Sequence, residues 1–347
     1  MEHRRLGRTD LSVPVICLGT MTWGNQNSEA EGHAQMDLAL DHGLTFWDTA
    51  EMYAAPPAAE TYGRTEEIIG SWFARNGRRQ DIVLASKVIG NADGGFPYVR
   101  GGGARADWAN ILAAVEASLK RLGTDYIDLY QLHWPDRTAD RFGRTIANPA
   151  AAADEVAIEE TLGVFDDLVR LGKIRHVGIS NETAWGTMRY VLAAEKMGLT
   201  RIVSIQNPYS LLNRSFEMGL AEVALREDVG LLAYSPLAAG TLTGKYLDGA
   251  MPAGSRRAID GRKSRYDTPR ADPAVKAYLE IARRHGLDPV QMAIAFTIAR
   301  PFIISSIIGA TSLEQLRIAI GAADLVLSDD VMAELDAVHL ANSNPCL

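Results

Sequence analysis

The sequence predicts an α/β fold: a closed (β/α)8 TIM barrel with an N-terminal β-hairpin and an extra C-terminal helix. Three observations predict it. Short β-branched or aromatic runs alternate with helix-spaced segments about eight times, and the alternation continues without a break in composition. The turn after the first strand, Leu18-Gly19-Thr20-Met21-Thr22-Trp23-Gly24, also lacks the Gly-x-Gly-x-x-Gly order of an open dinucleotide-binding sheet.

The elements follow in chain order. Residues 1–13, with Gly7 and Asp10 as turn formers and Pro14 behind them, read as a hairpin capping the bottom of the barrel. Buried strands are expected at 15–18, 45–47, 82–85, 127–132, 176–179, 203–206, 231–234 and 303–308. In one intervening segment Trp108, Ile111, Leu112, Val115, Leu119 and Leu122 share a helix face, and Gly123 supplies a stop. Val331, Leu335 and Val338 mark a terminal helix. One domain is therefore expected over 1–347, with the barrel at 14–325 and the helix and tail at 326–347. A minimal barrel needs roughly 250 residues. The rest of the 347 lies in those end pieces and in long loops at 51–64, 90–107, 136–154 and 247–272, all following strands, on the face where barrel enzymes keep their chemistry.

Composition removes several classes of function. Acids outnumber bases 43 to 35, a net charge of −8, and no Lys/Arg-rich run occurs, so the electrostatic footprint of a nucleic-acid or anionic-membrane binder is missing. Apolar stretches such as 303–308 fall far short of the ~20 residues of a bilayer helix. The charged first ten residues carry no apolar core of a secretory signal, and the two cysteines, Cys17 and Cys346, make no disulfide framework. A cytoplasmic location is expected.

Polar residues close several apolar strands. Asp48 ends the second, Lys87 the third and His133 the fourth, and Tyr53 lies five residues beyond Asp48. Adjacent strand ends of a barrel converge on one mouth, so these four side chains are expected to meet. A Lys⁺ against a Tyr hydroxyl favours the phenolate and should bring the Tyr towards useful acid strength, while an Asp⁻ keeps the Lys charged. With His133 holding a substrate oxygen, the set suits proton delivery to an oxygen that turns negative as hydride arrives on its carbon. Carbonyl reduction of a small-molecule substrate is the natural reaction. Trp23 and Trp134, just past strand ends, are expected as apolar walls of the substrate pocket.

The ordered series Asp48-Thr49-Ala50-Glu51-Met52-Tyr53, Ala85-Ser86-Lys87, Asp128 to His133, Gly178-Ile179-Ser180-Asn181 and Tyr234-Ser235-Pro236-Leu237 resembles the signatures of the aldo-keto reductase superfamily across essentially the whole chain. The runs 19–24, 180–183 and 205–214 resemble its bacterial Tas-type branch. The resemblance implies a barrel using NADPH, with Asp48, Tyr53, Lys87 and His133 as a tetrad and Tyr53 as proton donor. It places Thr20 and Met21 among the cofactor contacts, Ser180, Asn181 and Gln206 on the nicotinamide carboxamide, and Tyr234 stacked on the nicotinamide. Ser235, Pro236, Leu237, Ala238, Gly240 and Lys245 fall in the loop over the pyrophosphate, and Gly309, Thr311 and Gln315 at the adenosine end. Arg256 with Lys245 matches the basic positions for the 2′-phosphate, with Arg257 and Arg317 as fallbacks. Ala319 departs from the Asn often found near the adenine.

Other features weigh less. Thr311-Ser312-Leu313-Glu314 reads as a capping box opening a helix. Gly240 to Tyr246 fails as a P-loop, because three residues separate its glycines and Tyr246 stands where Ser or Thr is needed. Asn181-Glu182-Thr183 and Asn213-Arg214-Ser215 are expected as caps rather than glycan acceptors, and His33 with Asp37 lacks a third ligand, so no metal site is expected. Two competing functions are carried: a cofactor-holding redox sensor like the channel β subunits that share this fold, and a Schiff-base lyase using Lys87, against which a neighbouring Asp48 argues.

Overall fold

Chain entry forms a plug. Strands β1 (His3–Arg5) and β2 (Ser12–Pro14) pair antiparallel, and the turn between them sends fully buried Leu6 and Val13 into a cluster with Cys17, Phe46, Ala85, Leu129 and Leu232. Gly7 permits this approach: its φ is +57°, and a Cβ there would stand 2.7 Å from the Val203 carbonyl oxygen.

The computed structural model describes residues 1–92, 94–139, 142, 154–260 and 264–346. Among them, β3 (Ile16–Gly19), β4 (Phe46–Asp48), β5 (Val83–Val88), β6 (Ile127–Leu132), β7 (Ile174–Ser180), β8 (Ile202–Pro208), β9 (Gly230–Tyr234) and β10 (Ile303–Ile308) form a closed parallel barrel in chain order, β10 meeting β3. This is the predicted TIM barrel. Several strands run beyond the apolar stretches that announced them and take in Asp48, Lys87, Ser180 and Asn207, because the parallel ladder bonds backbone whatever the side-chain polarity.

Helices ring the barrel: α1 (Glu29–Asp41), α2 (Arg64–Asn76), α3 (Trp108–Leu122), α4 (Ile158–Arg170), α5 (Ala184–Met197), α6 (Leu220–Glu227), α7 (Arg256–Asp260), α8 (Ala271–Arg284), α9 (Pro289–Ile298), α10 (Leu313–Gly321) and α11 (Asp329–Ala341). Neighbours pack side by side from α1 to α6, and α10 closes the ring against α1. The α3 bounds are those its apolar spacing predicts, with Asp107 capping the Asn110 N–H and Gly123 ending the helix at φ +62°. Trp108 departs from the prediction: at the first helical position it is 42% exposed instead of joining the buried face. The terminal helix α11 buries Val331 and Leu335 as expected. Among the described residues, no helix is long and apolar enough to cross a membrane.

Candidate active site

Period-two alternation builds a polar shelf over an apolar floor. Phe46, Ala85, Leu129 and Leu232 lie in the floor, and two residues further along the same strands come Asp48, Lys87, Gln131 and Tyr234. Parallel register sets Lys87 beside Gln131, and Gln206 beside Leu232.

Lys87 is fully buried at the centre. Its ammonium donates to Asp48 Oδ2 (2.7 Å), the Thr49 carbonyl (2.8 Å) and the Tyr53 hydroxyl (3.3 Å), which accounts for all three N–H bonds. Asp48 Oδ1 accepts from Gln206 Nε2 at 2.8 Å, with Gln131 Nε2 at 3.4 Å. His133, anchored by its backbone N–H to the Val88 carbonyl, sets its ring edge-on to Tyr53 with centroids 5.8 Å apart. Its Nδ1 is buried without a hydrogen-bond partner. All four predicted tetrad residues therefore meet.

The electrostatics differ from the expectation in one respect. Burial pushes the Tyr53 hydroxyl above its ordinary pKa, and the Lys87 charge offsets only part of that rise. The Tyr53 hydroxyl is thus held protonated rather than as an incipient phenolate. Burial opposes the charge on Lys87, yet Asp48 and Tyr53 together hold its pKa above the usual value. For His133, burial and then the Lys87 charge lower the pKa well below normal, so the imidazole is neutral.

A second cluster adjoins the first. The Ser180 hydroxyl donates to the Gln206 carbonyl (2.7 Å), Asn181 Nδ2 donates to the His133 carbonyl (2.9 Å), and the Tyr234 hydroxyl donates to Asn181 Oδ1 (2.7 Å). Burial raises the Tyr234 pKa to about 12, against the opposing charge of Arg265, whose guanidinium lies 5.4 Å from the ring centroid. Thr20 is fully buried and hydrogen-bonds the Asp48 carbonyl through N–H and hydroxyl, while the Met21 carbonyl accepts from Ala55 N–H.

The loop after β9 turns sharply. Ser235, Ala238, Ala239, Gly240 and Gly244 all have positive φ, and the N–H groups of Ala238 and Gly240 donate back to the Ser235 and Leu237 carbonyls at 2.8 and 2.9 Å. The Lys245 ammonium lies 3.2 Å from where a Gly240 Cβ would stand, so its charge rests against this loop. Arg256 is half-buried and acts electrostatically on Tyr53. Arg257 is a strut: it pairs with Asp267 (2.6 Å), donates to Thr241 (3.0 Å) and covers the Tyr246 ring. Arg317 is exposed on α10.

Two other expectations change. The cap of α10 sits one residue later than predicted: Ser312 accepts from Gln315 N–H, and Gln315 Oε1 reaches back to Thr311 N–H (3.0 Å). A Cβ at Gly309 would meet nothing within 4 Å. Trp23 is no pocket wall, because it is fully buried in the core with its indole N–H on Gln35 (3.1 Å). Trp134 does lie beside the tetrad, 5.1 Å from the His133 ring, with its N–H on the Asn91 carbonyl.

Thr183 caps α5 as expected, accepting from Gly186 N–H, whereas Asn181 bonds the His133 carbonyl and Asn213 forms a local turn, accepting from Ser215 N–H ahead of the short helical turn Ser215–Glu217. His33 bonds Ser71 and the Ile68 carbonyl, and Asp37 takes Trp72 and Arg75. Among the described residues, no three of His, Cys, Asp and Glu gather as a metal site. Glu51, Arg100, Gln131 and Arg265 are site neighbours the sequence reading passed over. Only Gln131 carried a signal, two residues before His133 on one strand.

A closed parallel barrel thus holds buried Asp48 and Lys87 and half-buried Tyr53 together at its mouth, and comparison with known proteins gives the family. The chain belongs to the aldo/keto reductase family, whose profile matches residues 15–339 and whose members generally use a nicotinamide cofactor. It is 50% identical to Protein tas of Escherichia coli over 345 residues, 99% of both chains. L-glyceraldehyde 3-phosphate reductase of E. coli is 30% identical over 352 residues, covering 99% of this chain and 93% of that one. A probable voltage-gated potassium channel subunit beta of Arabidopsis thaliana is 30% identical over 332 residues, 94% and 92% of the two chains.

Proposed function

We propose that this protein is an NADPH-dependent reductase of aldehydes or ketones, with Tyr53 as the proton donor. The observation that carries the reading is the buried Lys87 ammonium, held by Asp48 on one side and bonded to the Tyr53 hydroxyl on the other.

The residues fit a nicotinamide dinucleotide. The tight loop at 235–244, with the Lys245 ammonium against it, suits a diphosphate; Asn181, Ser180 and Gln206 offer amide and hydroxyl groups for a carboxamide beside Tyr234. Arg256 and Lys245 are the cations proposed for a 2′-phosphate, which favours NADPH over NADH. Thr20, Met21, Gly309, Thr311 and Gln315 complete the proposed cofactor contacts.

Bound NADPH would supply the hydride from nicotinamide C4 to the carbonyl carbon. Neutral His133 and protonated Tyr53 would hold the carbonyl oxygen, and Tyr53 would give it a proton as negative charge develops, leaving an alcohol. Lys87, kept charged by Asp48, would stabilise the phenolate until solvent restores the proton. The same contacts weaken the Schiff-base alternative, because an ammonium with three acceptors and a raised pKa is a poor nucleophile. The likeness to a channel β subunit supports a second reading, a slow cofactor-holding sensor.

Aldehyde-dependent NADPH oxidation by wild type and Tyr53→Phe, with calorimetric titration of NADPH and NADH into both, tests the proposal. The variant should lose about 10²- to 10⁴-fold in kcat with NADPH binding intact. Both proteins should prefer NADPH. Full activity in Tyr53→Phe would sink the tyrosine assignment, and tight binding with negligible turnover in wild type would favour the sensor.

A further inference from the structure

Glu51 stands two residues before Tyr53, is fully buried, and has no part in the chemistry above. Its backbone N–H donates to the Lys87 carbonyl at 3.1 Å, just as Thr49 N–H donates to the Ala85 carbonyl at 2.9 Å. The segment carrying Tyr53 is thereby sewn to β5 past the end of β4. The Glu51 carboxylate continues the seam: Oε1 accepts from Ile89 N–H at 2.9 Å, two residues beyond Lys87.

The same carboxylate reaches sideways. Arg100 pairs with it in a two-pronged contact of 2.6 and 3.0 Å, and the Tyr62 hydroxyl donates to it at 2.7 Å. Arg100 belongs to the long loop at 90–107 and has φ +46°, a conformation disfavoured for a residue with a Cβ, followed by Gly101 and Gly102 at +67° and +82°. A planar guanidinium gripped at two points, with Nε also on Asn110 at 2.9 Å, holds that turn in place. The loop it anchors carries Phe96 and Tyr98 against each other, and Phe96 against Trp134, which faces His133.

We propose that Glu51 is a positioning residue that fixes two things at once: the Tyr53 segment against Lys87, and, through Arg100, the aromatic wall beside His133. The geometry makes Arg100 a determinant of how tightly a bulky carbonyl compound is held, and Glu51 a determinant of both binding and turnover. This rests on the reading of Tyr53 as proton donor.

The experiment compares kcat and KM for propanal and 4-nitrobenzaldehyde, with thermal melts and NADPH titration, in wild type, Arg100→Met, Glu51→Gln and the double variant. A lone buried guanidinium destabilises the fold, so the double variant, which removes both charges, keeps the test decisive if Glu51→Gln fails to fold. Arg100→Met should raise KM for 4-nitrobenzaldehyde about tenfold with a smaller loss in kcat, whereas the double variant should also lose about 10- to 100-fold in kcat, the usual effect of a small misplacement at the reacting groups. NADPH should bind all folded variants alike. A folded double variant with wild-type kcat and KM for both aldehydes overturns the proposal, since a merely structural pair would lower the melting temperature alone. Wild type that reduces neither aldehyde, or does so independently of Tyr53, would instead contradict the function on which it rests.

Discussion

At the residue scale, burial outweighs the opposing Lys87 charge at Tyr53 and acts in the same direction as that charge at His133. Tyr53 stays protonated and His133 stays neutral, which equips both to donate hydrogen bonds to an oxygen. His133 also links stability to pH. In the unfolded chain its pKa returns to about 6.5, so below that pH the unfolded state takes up a proton that the folded state refuses. Its contribution is complete above about pH 6.5 and is lost as the pH falls towards the lower folded value. Melting curves between pH 8 and 5 should therefore show wild type losing more stability on acidification than His133→Gln; equal losses would mean that His133 is not held neutral. The tetrad was legible because each of Asp48, Lys87 and His133 closes an apolar run. Glu51 and Arg100 were not, since an ion pair between residues 49 apart in two loops leaves no periodic trace. Trp23 misled because a position just past a strand says nothing about which way the loop turns.

At the element scale, hydrophobic spacing gave β10 and α3 to the residue and underestimated strands that end in polar side chains. The bounds at the barrel mouth therefore needed the backbone ladder, which composition does not record. Helix packing was equally silent in the sequence. Gly70 of α2 lets that helix touch the end of α3, where a Cβ would stand 2.2 Å from the Arg121 carbonyl oxygen and 3.0 Å from Leu122 carbonyl carbon. Both are backbone atoms and cannot swing aside. Gly70→Ala should lower the unfolding free energy by about 1–3 kcal/mol, measured by denaturant titration, with kcat per folded molecule preserved. An unchanged midpoint would show that the two helices separate freely.

At the scale of the whole molecule, a net charge of −8 and an expected polyanionic cofactor are reconciled by local placement of cations, Lys245 against the loop after β9 and Arg256 within electrostatic reach of Tyr53. The barrel makes this possible by bringing β3 to β10, residues 16 to 308, to one mouth, so that Asp48 and Gln206, 158 residues apart, share a hydrogen bond. The barrel and its hairpin were readable from alternation and turn residues; the side-chain seams that join loop to loop were not. The central claim is transfer of hydride to a carbonyl carbon with proton delivery from Tyr53. It is tested most directly by a single turnover of an aldehyde with NADPH carrying deuterium at nicotinamide C4, each stereoisomer in turn, followed by mass spectrometry of the alcohol. One isomer should place a deuterium on the former carbonyl carbon in wild type, at a rate that Tyr53→Phe reduces by about 10²-fold or more. Alcohol formed without deuterium from either isomer, or at the same rate in both proteins, would contradict the account.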